Sequence, residues 1–170
     1  MAIVLQAFSC AKERGAQTVL NPAPFQPLSD DLLQVTDTII LNETELTAAL
    51  ALPALPDATD IEALSRHLTA LLARGPCMAI VTLGAYGVVV QGHERGPVQI
   101  AARIVAARDT TGAGDCFVGA YVAGCLEGLE AVAAVTFANA AAALSVTRDG
   151  AAASFPTRAE VDVFLSSAPA

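Results

Sequence analysis

Short, almost wholly apolar runs alternate with helix-forming segments along this chain, and this alternation limits the fold more than any other feature. The sequence predicts strands over 17–21, 36–41, 78–82, 86–91 and 98–102. It predicts helices over 5–14, 30–35, 43–50, 60–73, 113–126, 129–146 and 158–165. A strand without polar alternation needs cover on both faces, and the intervening helices can supply it. The pattern therefore predicts an α/β protein with a mostly parallel sheet.

The chain is long enough for one domain, and its composition is that of a folded protein. Its 170 residues are 54% hydrophobic and only 15% charged, which excludes wholesale disorder. No repeat or linker divides the sequence, so residues 1–170 are predicted to form a single domain. The most apolar window, 131–146, is mostly alanine and shorter than the ~20 residues that a membrane span needs. It predicts a buried helix of a soluble protein.

Charge and cysteine content exclude several classes of partner. The net charge is −8 and Lys12 is the only lysine, so the chain lacks the basic surface that nucleic acids or anionic membranes require. The start of the chain has no basic segment before its apolar run, unlike a secretory signal. The cysteines, Cys10, Cys77, Cys116 and Cys125, show no CxxC spacing, and most have apolar neighbours. We expect a reducing, cytoplasmic location, with neither disulfides nor a zinc site.

Turn and capping signals mark several element boundaries. A hydroxyl residue three positions before a glutamate predicts a capping box at a helix start. The two pairs are Thr59 with Glu62 and Thr157 with Glu160. Pro53 and Pro56 predict a loop before the first of these helices. The segment TLGAYG, residues 82–87, places two glycines between predicted strands and so predicts a hairpin.

The stretch DTTGAGDCFVGA, residues 109–120, carries the strongest chemical signal. Gly112 and Gly114 have no Cβ, so backbone N–H groups there can converge on one point. The helix that follows adds its unpaired N–H groups and the positive end of its dipole, a combination that binds phosphate. Asp115 falls in the first helical turn and would stay a proton acceptor at neutral pH. Phosphoryl transfer to a hydroxyl needs this combination of cradle and base. The alternative is a carboxylate that only caps the helix.

Three further segments have both a structural and a functional interpretation. In NETE, residues 42–45, Asn42 and Glu45 either form a capping box or place Glu45 near a hydrated Mg²⁺ at the end of a strand. Thr82 and the glycines after it either make an ordinary turn or allow close approach to a ligand. In VTRDGAAAS, residues 146–154, Gly150 can be a helix C-cap and Arg148 a cation at the C-terminal end of a helix dipole.

Taken together, these segments resemble the ribokinase family of carbohydrate kinases, also called the PfkB family. DTTGAGDCFVGA is similar to the family's C-terminal signature, NETE to its NxxE motif and TLGAYG to its nucleotide loop. NPAP at 21–24 and VTRDGAAASFP at 146–156 resemble ribokinases more than fructokinases or adenosine kinases. The resemblance runs from about residue 5 to about residue 165. It implies a ribokinase-like three-layer α/β/α fold with a mostly parallel sheet, truncated at the N-terminus and without the β-lid.

The resemblance implies ATP-dependent phosphorylation of a sugar hydroxyl, with D-ribose converted to D-ribose 5-phosphate. It makes Asp115 the catalytic base and sugar contact, and it makes Gly112, Ala113 and Gly114 the anion hole. It assigns ATP contacts to Asn42, Thr82, Leu83, Gly84, Ala85, Tyr86, Gly87, Gly114 and Asn139. It places Mg²⁺ at Glu45 through water. It places an activating K⁺ at Asp109, Thr111, Ser145, Arg148, Gly150 and Ser154, several of them through main-chain oxygens.

Features of the family's N-terminal half have no counterpart in this sequence. These are the glycine-rich sugar motif, the acidic sugar contact and the lid through which family members often form homodimers. The chain is therefore expected to be the C-terminal, nucleotide-binding and catalytic part of a kinase, with an unpaired sheet edge and little or no activity alone. Two alternatives remain open. One is a family kinase for fructose, a nucleoside or a sugar acid; the other is a non-catalytic nucleotide- or partner-binding fragment.

Overall fold

The computed structural model describes residues 1–54 and 57–167. These residues form two compact units. The first unit comprises Met1–Leu83 and Val89–Gln99, and the second comprises Gly84–Val88 and the described residues from Ile100 onward. The prediction that 1–170 form one domain stays a prediction. Pro53 lies in a bend, as expected of a loop, whereas Pro56 falls outside the described residues.

The first half of the chain alternates helices and strands in the predicted order. The elements are α1 (Ala2–Glu13), β1 (Val19–Leu20), α2 (Asp30–Gln34), β2 (Thr38–Asn42), α3 (Glu43–Ala49), α4 (Ile61–Leu72), β3 (Met78–Thr82), β4 (Val88–Gly92) and β5 (Val98–Ile100). The five strands form one sheet in the order β1-β2-β3-β4-β5. Strands β1, β2 and β3 run parallel. All five predicted strands are confirmed; β3 has the predicted bounds, and the ends of the other four differ from the prediction by at most two residues.

A short turn joins two neighbouring strands of this sheet. Gly84–Tyr86 forms a single 3₁₀ turn between β3 and β4. Parallel neighbours need a crossover of a dozen or more residues, so this connection makes β3 and β4 antiparallel and the sheet mixed. The hairpin predicted for 82–87 is therefore confirmed.

The core of the first unit explains why its strands are apolar throughout. Consecutive residues Ile39, Ile40 and Leu41 of β2 are all at most 2% exposed, although successive side chains point to opposite faces. Leu33 of α2 and Leu68 of α4 are fully buried in the same cluster as Ile39 and Leu41. Helices therefore cover the sheet, as the sequence predicts.

The second unit is built mainly from helices rich in small residues. They are α5 (Ala113–Leu126), α6 (Ala131–Ser145) and α7 (Arg158–Ser166). A Cβ on Gly124 of α5 would lie 3.3 Å from the Ala134 Cβ of α6, so the two helices approach closely where neither carries a long side chain. Phe137 of α6 and Val161 of α7 share a buried cluster with Cys116. The predicted buried helix over 131–146 is confirmed.

Two sequence expectations need correction. Helix α4 is capped by Asp60, whose side chain accepts the Ala63 N–H at 2.9 Å, and not by Thr59. The Thr59 hydroxyl donates instead to Asp57 at 2.7 Å, because both residues belong to the turn before the helix. The predicted capping box of Thr157 and Glu160 is present.

The other correction concerns the surroundings of the thiols, because the apolar sequence neighbours of most cysteines predict apolar surroundings in the fold. Only Cys116 is buried, whereas Cys10 and Cys77 are exposed, because apolar neighbours in sequence do not fix which side of an element a residue occupies. All four cysteines are free thiols. Within the part of the chain that the structure describes, no helix combines the length and apolar character that crossing a bilayer would need.

Candidate functional site

The first unit brings two predicted ligand contacts together at one end of its sheet. Asn42 ends β2 and pairs in register with Thr82, which ends the parallel neighbour β3. Asn42 is exposed and Thr82 half-buried, and the Thr82 hydroxyl donates to the Leu41 carbonyl at 3.4 Å. Leu83 is only 2% exposed, so it offers its backbone and not its side chain to a ligand. The carboxyl ends of parallel strands are where ligands bind in open α/β sheets.

The capping box predicted as one interpretation of NETE is present. The Asn42 Oδ1 accepts the Glu45 N–H at 2.8 Å, and the Glu45 Oε2 accepts the Asn42 N–H at 2.9 Å. Glu45 is 8% exposed, so this carboxylate is held in one place. A fixed carboxylate oxygen fits a hydrated Mg²⁺, which prefers hard oxygen ligands and keeps several waters. Among residues 1–54 and 57–167, no three His, Cys, Asp or Glu side chains cluster to hold a metal directly.

In the second unit, the 84–87 turn and Asn139 both contact the segment 100–102. Gly87 has a φ of +92°, and a Cβ built there would lie 2.1 Å from the Ile100 carbonyl oxygen. The Asn139 Nδ2 donates to the Ala101 carbonyl at 2.9 Å. Tyr86, next to Gly87, is 54% exposed. The backbone after β3 is therefore fixed against this segment while the Tyr86 ring faces solvent.

A glycine turn directly precedes α5, as the sequence predicts. Gly112 is the helix N-cap, with a φ of +76° that favours glycine, and a Cβ there would lie 3.1 Å from the Ala151 Cα. Asp115 lies in the first turn of α5 and is exposed. Its carboxylate makes no hydrogen bond or ion pair within the described ranges. The Ala113 N–H donates to the Thr110 carbonyl at 3.2 Å, so the N–H groups of Gly114 and Asp115 are the ones best placed for an anion.

Asp109 connects the glycine turn to the segment after α6. Its Oδ1 accepts the Thr111 N–H and its Oδ2 accepts the Gly150 N–H, each at 2.9 Å. Hydrogen bonds from the Thr111 side chain, the Gly150 backbone and the Thr111 backbone lower the pKa of Asp109 to about 2. Asp109 is therefore a carboxylate at neutral pH, and its charge is used to organise two loops.

The side chains predicted around a monovalent cation are largely engaged within the protein. The hydroxyls of Ser145 and Ser154 are buried and donate to the carbonyls of Ala142 and Ala151, at 2.9 and 2.7 Å. The Arg148 guanidinium pairs with Glu160. The groups left for a cation are main-chain carbonyls and the Asp109 carboxylate, and carbonyl oxygens can replace the hydration shell of K⁺. The donor set thus fits the expected ion.

Glu160 is the residue near this site that sequence reasoning placed only as a helix cap. Its Oε1 accepts from Arg148 at 2.5 Å, and its Oε2 accepts the Thr157 N–H at 2.7 Å. Hydrogen bonds from Arg148 first, and then from the Thr157 backbone and hydroxyl, lower the pKa of Glu160 to about 2. The capping box reveals one of its partners in the sequence, but nothing local reveals Arg148.

Comparison with known proteins places these motifs within one protein family. The sequence matches the pfkB family of carbohydrate kinases over residues 2–158. It is 40% identical to the ribokinase of Haemophilus influenzae over 95% of this chain and 51% of that protein. It is 35% identical to the ribokinase of Staphylococcus aureus over 94% of this chain and 51% of that protein. The chain thus spans about half the length of these curated relatives.

A solved structure shows the same fold. The ribokinase of Arabidopsis thaliana complexed with ribose and ATP superposes with a TM-score of 0.90 at 29% identity. The superposition covers 98% of this chain and 53% of the plant enzyme. The predicted ribokinase-like α/β fold class is confirmed.

Proposed function

Because this chain belongs to the pfkB family of carbohydrate kinases, we propose that it is the nucleotide-binding and catalytic part, the C-terminal half, of a ribokinase. The reaction transfers the γ-phosphoryl group of ATP to a hydroxyl of D-ribose and yields ADP and ribose 5-phosphate. Identity to two ribokinases and the plant structure with ribose and ATP support these substrates. The observation that carries the proposal is the Asp115 carboxylate, exposed in the first turn of α5 directly after the Gly112 turn.

The N-terminus of α5 stabilises the transferring group. A loose transition state spreads negative charge over the phosphoryl oxygens, so catalysis depends on positioning and electrostatics. The N–H groups of Gly114 and Asp115, together with the helix dipole, supply fixed positive charge at that point. The glycine turn keeps side chains away from the phosphate. The proposed anion hole is formed by Gly112, Ala113 and Gly114: the turn at Gly112 and Ala113 shapes it, while the Gly114 N–H donates together with that of Asp115.

Asp115 acts as the general base. Its carboxylate accepts the proton of the acceptor hydroxyl as that oxygen attacks the γ-phosphorus, and the bond from the γ-phosphorus to the bridging oxygen of ADP breaks. Because Asp115 is exposed and has no partner among the residues that the structure describes, its carboxylate is accessible to a substrate hydroxyl. Asn42, Thr82, the backbone of 83–87 and Asn139 bind the nucleotide.

Two ions complete the proposed site. Glu45 would hold a hydrated Mg²⁺, which would supply positive charge to neutralise the phosphates. The carboxylate of Asp109 would hold K⁺ together with the remaining residues, several of them through main-chain oxygens; these residues are Thr111, Ser145, Arg148, Gly150 and Ser154. Arg148 contributes only its carbonyl, because a guanidinium has no acceptor.

The base assignment predicts the behaviour of Asp115→Asn. In a protein that joins this chain to the other half of the family domain, the substitution removes the proton acceptor but keeps the size of the side chain. Ribose-dependent ADP formation should fall by roughly 10²-fold or more, the range of general-base catalysis. The affinity for ATP, measured by calorimetry, should change by less than about threefold.

Asp149, another exposed carboxylate of the second unit, provides a matched control. It is exposed and pairs with Arg108, and Asp149→Asn should leave turnover close to that of the wild type. Turnover unchanged in Asp115→Asn would remove the role of this residue as base. A panel of pentoses, hexoses and nucleosides identifies the acceptor, and a higher kcat/KM with fructose or a nucleoside than with ribose would overturn the assignment of ribose. The 170-residue chain alone should bind ATP but release little ADP.

A further inference from the structure

A short loop in the second unit is held by contacts at three successive residues. The 148–151 loop, which follows α6, contains adjacent residues that each bind a different partner. Arg148 pairs with Glu160 at 2.5 Å, Asp149 pairs with Arg108 at 2.6 Å, and the Gly150 N–H donates to Asp109 at 2.9 Å. A loop bound at successive residues has few alternative conformations, so its position is well defined.

The last residue of this loop lies against the glycine turn. A Cβ added to Gly112 would lie 3.1 Å from both the Cα and the Cβ of Ala151. The Ala151 carbonyl accepts from the backbone N–H and the hydroxyl of Ser154, at 2.9 and 2.7 Å. Asp109, which binds Gly150, also binds Thr111 next to the turn. A displacement of the 148–151 loop would therefore reach the N-terminus of α5 by two routes, packing at Ala151 and hydrogen bonds at Asp109.

The ion pairs that hold the loop are not equivalent. The Arg108 and Asp149 side chains are 64% and 70% exposed, and such surface pairs contribute little. Arg148 and Glu160 are 37% and 42% exposed. Glu160 is also fixed by the capping box with Thr157 at the start of α7, so little side-chain freedom remains to be lost when Arg148 binds it. A charged hydrogen bond to a carboxylate that is already fixed in place is the stronger attachment.

We propose that Arg148 and Glu160 are positioning residues: their ion pair fixes the 148–151 loop and thereby the glycine turn that cradles phosphate. The functional part of this inference rests on the proposed kinase function, whereas the structural part does not. Neither side chain is assigned a contact with ATP or the acceptor sugar. The guanidinium of Arg148 thus acts at a distance from the site, independently of any cation bound by its carbonyl.

The structural part is tested by amide hydrogen exchange in the 170-residue chain. Glu160→Gln removes the charge that holds Arg148, so the Gly150 N–H should exchange several-fold faster than in the wild type. Asp162→Asn is the matched control, because it is also a carboxylate-to-amide change on α7 and breaks only the pair with Arg158. Exchange at Gly150 should be unchanged in this control.

A double substitution tests whether the effect passes through the pair. Arg148→Gln should accelerate Gly150 exchange as much as Glu160→Gln does, and the double variant should match either single variant. Additive effects, an unchanged Gly150 rate, or an equal change in Asp162→Asn would overturn the proposal. The exchange rates of amides within α7 report whether the helix itself has frayed. Faster Gly150 exchange that occurs only together with fraying of α7 in Arg148→Gln and Glu160→Gln would also overturn the proposal.

The kinase assay separates this inference from the proposed function. In the protein with both halves of the domain, Glu160→Gln should raise the KM for ATP and lower kcat several-fold, whereas Asp162→Asn should change neither. Active wild-type enzyme with unchanged Glu160→Gln kinetics would overturn the functional part of this inference alone. A wild-type enzyme without kinase activity would overturn the proposed function, and the exchange result would still decide the structural part.

Discussion

Gly87 occupies a position in which a side chain has no room. Its φ of +92° is unfavourable for other residues, and a Cβ would lie 2.1 Å from the Ile100 carbonyl oxygen and 2.6 Å from the Ala102 nitrogen. Both obstacles are backbone atoms, so the chain itself would have to move. Gly87→Ala should therefore lower the free energy of unfolding by roughly 3 kcal/mol or more, as measured by urea denaturation.

Gly84, at the start of the same turn, is the matched control. Its φ is +53°, but a Cβ added there would have open space for 4 Å around it, so only backbone strain opposes an alanine. Gly84→Ala should cost about 1–2 kcal/mol. Equal losses for the two variants would show that the contact of Gly87 with residues 100–102 does not constrain the turn.

Helix α4 begins at a cap that the sequence alone misassigned. The Asp60 carboxylate accepts the Ala63 N–H, whereas the Thr59 side chain binds only within the preceding turn. Asp60→Ala should cost about 1 kcal/mol of unfolding free energy, the usual value of an N-cap. Thr59→Ala should stay within about 0.5 kcal/mol of the wild type, as exposed substitutions do. Urea denaturation of both variants tests this order, and a larger loss for Thr59→Ala would restore the capping box first predicted there.

The whole molecule should lose stability in acid for a reason that can be traced to named groups. The carboxyls of Asp109 and Glu160 both have a pKa of about 2 in the folded chain, below their ordinary values near 4. A lowered folded pKa contributes stability that is present above the unfolded pKa and is lost as the pH falls through the folded value. The free energy of unfolding should therefore decrease from about pH 4 towards pH 2. Below the pI of about 4.5 the net charge of the chain becomes increasingly positive, and repulsion between these charges lowers the free energy of unfolding further.

The double variant Asp109→Asn/Glu160→Gln isolates this effect. Without these carboxyls, the difference in bound protons between the unfolded and the folded chain is smaller. The slope of unfolding free energy against pH between 4 and 2 should therefore be shallower than in the wild type. Urea denaturation at several pH values measures the slope. A double variant with the wild-type slope would contradict the assignment of the acid sensitivity to these two groups.

The elements and the motifs of this protein could be predicted from its sequence. Apolar runs, glycines and capping residues act through neighbours within a few positions, so strand β3 over 78–82 and helix α5 over 113–126 were predicted with the bounds that the structure has. The capping box at Thr157 and the glycine turn at Gly112 were predictable for the same reason. The family resemblance rested on these short motifs.

The pairing of residues that are distant in sequence could not be predicted and is known from the fold. The order of strands in the sheet, the hydrogen bond from Gly150 to Asp109 and the ion pair of Arg148 with Glu160 join positions that no local period relates. The choice of Asp60 over Thr59 as a cap depends on where the backbone leaves the turn, and the exposure of Cys10 and Cys77 depends on which face of an element is covered. These outcomes follow from packing, because a side chain's partners are set by the fold that surrounds it and not by its neighbours along the chain.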